Sequence, residues 1–242
     1  MAIETRNQAV TYSPGMWTFD FGNRTGSLLQ ALLHPMTQEE SAKQTFYDGF
    51  HSASLPELFS IWSKMFELRN ADDKKVKNAV ESARQFTQTS IRNAYPNTQT
   101  RIAYQPAPSS ADKIIHGYGT SSHIIKEVGF VGRDGAIQEV LSLEQSLALT
   151  GKTLQEAEEI ISYLNDTSLA YTWRVNQQPT RVDERVVWLG ADSSRFDLYC
   201  SRDTQDARTS FGVKWAEKLR ELQINSRGIQ EPEFLMNSGD KK

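Results

Sequence analysis

The chain has 242 residues, 27 basic and 30 acidic, for a formal charge of −3, and 38% of it is hydrophobic. That is the balance of an ordinary soluble protein, and it argues against a dedicated duplex nucleic-acid binder, which carries a marked basic excess. A chain of this length buries about 70–75% of its extended surface, so it needs no disulfide or metal staple. Cys200 is alone, which excludes an internal disulfide and predicts the cytoplasm or another reducing intracellular compartment. Residues 1–15 lack the basic start and apolar run of a signal peptide, and no stretch reaches the ~18–20 apolar residues of a membrane span, so no membrane association is expected. Ser, Thr, Gln and Asn together number 67 and gather in 85–100, 109–122, 176–180 and the two ends, so the polarity belongs to connections rather than to a weak core.

Residues 1–27 mix turn formers with aromatics at alternate positions, Trp17, Phe19 and Phe21, which predicts an extended arm with one short strand. A helical region is expected over 28–95. Ser27 caps a short helix over 28–33 that Pro35 ends, and Thr37 with Glu40 forms a capping box for a helix over 38–47. Ser54 with Glu57 repeats the box, with Pro56 in the first turn and Leu55, Leu58, Phe59, Trp62, Met65 and Phe66 at three- and four-residue spacing. Asp72 and Asp73 suit the positive end of a further helix whose Val76, Val80, Ala83, Phe86 and Ile91 keep a near-helical period up to Pro96. Residues 96–112 hold three prolines and little apolar mass beyond Ile102 and Tyr104, and read as a linker.

Beyond the linker the period changes to two. Strands are expected over 113–118, 123–131 and 136–143, the last two joined by an Asp134-Gly135 turn. Thr153 with Glu156 opens a helix over 154–164; strands over 169–175, 185–189, 196–200 and 210–215 and a short helix over 216–222 complete a β-rich region over 113–224, followed by a polar tail over 225–242. Parity puts Tyr171, Trp173 and Val175 on a core face with Phe196, Leu198, Cys200, Phe211, Val213 and Trp215, and leaves Thr172, Arg174, Asn176, Asp197, Tyr199 and Lys214 wet. Val186, Val187, Trp188 and Leu189 are apolar on both faces, as in a strand that is central under a helix or part of a contact surface. The expected fold is α+β: an N-terminal helical half followed by a mostly antiparallel sheet with one or two helices.

Few patterns carry chemistry. The Gly22–Gly26 turn lacks the lysine of a phosphate loop, no nucleophile elbow is present, and Cys200 falls on an apolar face. A four-residue loop at 119–122 would pair His116 with Ile125 and set His116 and His123 on one face about 7–8 Å apart, spaced for a metal or a phosphate. With the acids Asp192, Asp197, Asp203 and Asp206, that pair is the basis of a metal-dependent hydrolase reading. Lys74, Lys75 and Lys77 form the best local basic patch, and Tyr199 between Arg174 and Lys214 is placed to stack a base, which gives a single-stranded nucleic-acid-binding reading. The preferred expectation is a non-catalytic structural or interaction protein. It would be a subunit of a homomeric or larger assembly, held through its ends and the doubly apolar strand, with Trp17, Phe19, Phe21, Val187, Leu189, Phe234, Leu235 and Met236 as interface residues. Neither a cofactor nor catalytic activity is called for.

Overall fold

The computed structural model describes residues 10–13, 15–43, 49–119, 123–131, 138–167 and 169–218. The chain opens with strands, β1 (Val10–Ser13), β2 (Met16–Asp20) and β3 (Arg24–Met36), which form an antiparallel meander. A short helix α1 (Gln38–Lys43) and a two-residue strand β4 (His51–Ser52) lead into helices α2 (Leu55–Leu68) and α3 (Lys74–Ala94). Next come β5 (Asn97–Tyr104), β6 (Asp112–His116), β7 (Ile124–Val128) and β8 (Gln138–Val140). Helices α4 (Leu143–Thr150) and α5 (Leu154–Asn165) follow, then β9 (Ala170–Trp173), β10 (Asp183–Ala191), β11 (Phe196–Asp203) and β12 (Arg208–Glu217).

The twelve strands among the described residues join one mixed sheet in the order β1-β2-β3-β12-β5-β10-β11-β9-β8, with β4 added on β12 and the β6–β7 ribbon on β5. This corrects the expected α+β division: the helices are not an N-terminal half followed by a sheet, because strands come first among the described residues and helices recur between β8 and β9. The expected arm supplies β1 and β2. The 28–33 segment, expected as a helix from its leucines, lies inside β3, where β2 and β12 hydrogen-bond to its two edges and tertiary pairing overrides helix propensity. Pro35 falls where the β3–β12 register shifts, between Met36 and Leu33, so its missing N–H interrupts no regular ladder. The expected linker contains β5, which is buried throughout and bonded to β6 and β10. Leu143, expected to end a strand, starts α4, and residues 216–217 extend β12 rather than opening a helix. The helix expected over 38–47 is described to Lys43; Lys218 is not helical, and residues 44–48, the Asp134-Gly135 turn and residues 219–222 of the helix expected over 216–222 lie outside the described residues.

Three helix starts follow their caps. Asp73 accepts from the N–H groups of Lys75 and Val76, while Thr153 with Glu156 and Ser142 with Gln145 form complete capping boxes. α2 turns Leu55, Leu58, Phe59, Ile61, Trp62 and Met65 inward, all fully buried. Trp62 is the centre of that layer, edge-on to Phe196 of β11 at 6.5 Å and to Phe211 of β12 at 6.2 Å. α2, α3, α4 and α5 thus cover one face of the sheet. α1 sits on the other, where the fully buried Gln38 donates to the carbonyls of Thr98 and Thr100 and accepts from Arg101 Nε. No helix among the described residues is long and apolar enough to cross a membrane.

On the helical face one buried polar chain ties β5 and β6 to the helices. The Leu55 N–H donates to Thr100 Oγ1 at 3.0 Å, Thr100 Oγ1 lies 3.0 Å from His116 Nδ1, and His116 Nε2 lies 2.8 Å from the Ala148 carbonyl. A carbonyl only accepts, so Nε2 carries the proton and Nδ1 accepts from the threonine. Burial is the main cause that holds His116 below its ordinary value of 6.5, against the opposing hydrogen bond to Ala148. The unfolded chain therefore takes up this proton first, and stability present above that value is lost as pH falls below it. Replacing His116 by Leu should cost about 1–3 kcal/mol, because the Ala148 carbonyl and the Thr100 hydroxyl lose their partner. Urea titrations should also show the variant losing less stability than the parent between about pH 8 and about pH 6.

Candidate functional site

The face of the sheet that the large helices leave uncovered carries a continuous row of aromatic and guanidinium groups. It starts on β9 and β11, where Trp173 and Tyr199 are paired neighbours and their rings stack at 5.8 Å with a 24° tilt. Asp197 fixes this pair from beneath: its buried carboxylate accepts from Trp173 Nε1 at 2.9 Å, from Arg195 Nε at 3.1 Å and from the Tyr199 hydroxyl at 3.4 Å. Arg195 lies 5.6 Å from the Trp173 ring centre on one side of the pair. On the other side Arg202 lies 4.8 Å from Tyr199 and 5.0 Å from Trp188, and Arg208 lies 4.6 Å from Trp188. Tyr95, the left-handed cap at the end of α3, leans on Tyr199 at 6.2 Å and remains 40% exposed.

Two backbone features make the row possible. Between Val186 and Trp188 the register with β11 shifts, so two steps on β10 match three on β11, from Arg202 to Tyr199. The extra residue is a bulge that brings Arg202 round to the face of Tyr199, where strict alternation would send it to the core. Gly190 is the second: a Cβ there would stand 2.6 Å from Tyr199 Cε2 and 3.0 Å from Tyr95 Cδ1, so only glycine lets both rings lie across β10. Arg195 is paired with Asp197 and Asp192. Arg202 and Arg208 are exposed, and among the described residues neither pairs with a carboxylate, so the row ends in two uncompensated positive charges.

The residues expected to bind nucleic acid are dispersed. Tyr199 lies in the row. Lys74, Lys75 and Lys77 are exposed on the first turn of α3, whose 21 residues put them about 30 Å from Tyr95 at its other end. Arg174 is buried instead of wet, donating to the carbonyls of Phe130 and Val131 and pairing with Glu139 beside a polar cavity. Lys214 is half-buried near the Phe50 ring at 6.0 Å. Trp173, assigned inward by parity, faces outward, because β9 buries Ala170 and Thr172. From sequence alone Tyr95, Arg195, Arg202 and Arg208 had no place in a site, and Trp188 read only as part of a doubly apolar strand; the Tyr199-Cys200-Ser201-Arg202 spacing hides behind the bulge, while Gly190 inside an apolar strand is the one signal of a close approach.

The histidine pair is separated. His116 pairs with Ile124, not Ile125, and this one-residue difference sends His123 to the opposite face. Asp192 and Asp197 are engaged with Arg195, and among the described residues no three His, Cys, Asp or Glu side chains gather as a metal site. Cys200 is fully buried and its thiol is pushed up by desolvation, the state of an inert side chain. Of the expected interface residues, Trp17, Phe19, Val187 and Leu189 spend their surface on the chain's own core, and Phe21 packs on Trp215 at 5.1 Å. Phe234, Leu235 and Met236 lie outside the described residues. Comparison of the chain with protein-family models, with curated proteins and with solved structures gave no match.

Proposed function

We propose that the protein binds single-stranded nucleic acid on the uncovered face of its sheet. The observation that carries this reading is the Arg195–Trp173–Tyr199–Arg202–Trp188–Arg208 row with Tyr95 beside it. Bases stack on accessible aromatic rings irrespective of sequence, here Trp173, Tyr199 and Tyr95, while the buried Trp188 serves as the platform under Arg202 and Arg208, whose guanidinium groups contact the phosphates. Asp197 holds the Trp173–Tyr199 pair rigid before binding, which reduces the ordering cost of association. The near-neutral charge of the whole chain is compatible with a local site of this kind, because the two uncompensated arginines are concentrated at one end of the row. Tyr199→Ala should weaken binding of a single-stranded homopolymer by about 1–3 kcal/mol. The Arg202→Gln, Arg208→Gln double variant should flatten the dependence of log K on log salt by about 1.4, at about 0.7 per lost phosphate contact. Replacing Lys74, Lys75 and Lys77 by Gln should leave both unchanged. Fluorescence anisotropy across a salt series checks this; absence of salt-sensitive binding, or equal binding by the Tyr199 variant, refutes it.

A second reading, self-association, is favoured by a different place. Among the described residues β7 pairs with β6 alone, and it exposes Ile124 and Ile125 at 55% and 49%, while α4 exposes Leu143 and Leu147. Unpaired edge strands with exposed β-branched residues are templates for a second strand. If β7 is such an edge, light scattering should give a mass above the monomer at micromolar concentration, and Ile125→Lys should return it to the monomer. A monomeric parent chain removes the reading.

A further inference from the structure

The sheet divides beside β4. β12 touches β5 at Ser210 and Asn97, β6 takes over the same edge from Thr100 onward, and β4 enters from β12 to fill the fork. Ala53 closes its apex, donating to the Phe211 carbonyl and accepting from the Gln99 N–H. In the mouth of the fork is a cavity of about 570 Å³, within the size range of small-molecule sites.

Its walls combine charge with flat apolar surface. His51 Nε2 stands 2.8 Å from Glu57 Oε1, and the other carboxylate oxygen accepts from the Ser54 N–H at 2.9 Å and the Ser54 hydroxyl at 2.8 Å. Burial alone would raise Glu57, but the hydrogen bonds from His51 and Ser54 outweigh it and hold the carboxyl below its ordinary value of 4.5. An ionised Glu57 accepts, so His51 donates through Nε2, and in the imidazolium form of this pair Nδ1 is a second donor for a phosphate oxygen. Arg24 lies 4.3 Å over the Trp215 ring on the cavity wall, and among the described residues no carboxylate pairs with it. Glu57 is thus answered by His51 and the start of α2, and the charge left over is the positive one of Arg24. Ser41, Ser52, Gln99 and Trp215 also line the cavity, and each carries a polar atom, shut off from solvent, that has no partner among the described residues.

We propose that this cavity binds an organic phosphate of about mononucleotide size, its phosphate against Arg24 and His51 and its flat body along Trp215 and Tyr118. A donor-rich, positively charged pocket with an aromatic wall selects an anion with a planar body. The site is independent of the arginine–aromatic row. The test uses the full chain with adenosine monophosphate and adenosine as probes, following the His51 ring resonances by NMR and the melting temperature. The monophosphate should shift the His51 resonances and raise Tm at millimolar concentration, and adenosine should do neither. Arg24→Gln and His51→Gln should each weaken the monophosphate by about tenfold, and Tyr199→Ala should bind it as the parent does. Unmoved His51 resonances, or equal responses to the two probes, overturn the proposal.

Discussion

Asn97, Thr98, Gln99, Thr100 and Arg101 are five consecutive polar residues in the most enclosed strand of the sheet, and burying them is the condition that the rest of the fold satisfies. A buried polar side chain left without a partner costs about 1–3 kcal/mol, so the strand is tenable only if its neighbours answer it. They do so on both faces, leaving Asn97 Oδ1 and Gln99 Oε1 as the side-chain atoms of the five without a partner among the described residues. Asn97 donates to the Met36 carbonyl, and Thr98 to that of Val187. Thr100 joins Leu55 and His116, Gln99 donates to the Gln38 carbonyl, and Arg101 is shared by Gln38 and Glu184. Tyr104 ends the strand by donating to the Cys200 carbonyl at 2.8 Å. β5 thereby sets the positions of α1, α2, β6, β10 and β11 through side chains as well as through the ladder.

That arrangement also decides where ligands have room. The large helices pack on the face of β5 that carries Ile102 and Tyr104, with Trp62 filling the layer, and α1 occupies only the part of the other face above Gln99 and Arg101. The rest of that face, over β9, β10 and β11, is left to the stacked rings and guanidinium groups. Because β12 and β6 share one edge of β5, they must part, and the cavity beside β4 is the geometric result.

Much of the helical layer was legible because caps and period agree. Ser54 with Glu57, Asp73, and Thr153 with Glu156 mark α2, α3 and α5, each followed by an apolar stripe. α4 offered the same signals, Ser142 with Gln145 and a glycine, Gly151, at its end, but it follows β8 so closely that Leu143 reads as the end of a strand and the rest of the helix is missed. β5 was not legible, since hydrophobic periodicity has nothing to say about a strand buried through hydrogen bonds. β3 misled for the opposite reason: Leu28, Leu29, Leu32 and Leu33 are helix formers that two pairing partners hold extended. In the candidate site, Tyr199 was found by parity, whereas Arg202 was hidden by one extra residue and the histidine pair was lost to a register one residue away from the expected one.

Amide hydrogen exchange of the native chain tests the role of β5 most directly, because protection reports how far the structure must open to expose each N–H. If β5 is the strand on which both layers depend, the amides of residues 97–104 will be among the slowest to exchange, at rates set by global unfolding. Exchange of that segment as fast as the surface turns at 105–111 would contradict the account, and would return residues 97–104 to the status of a connection.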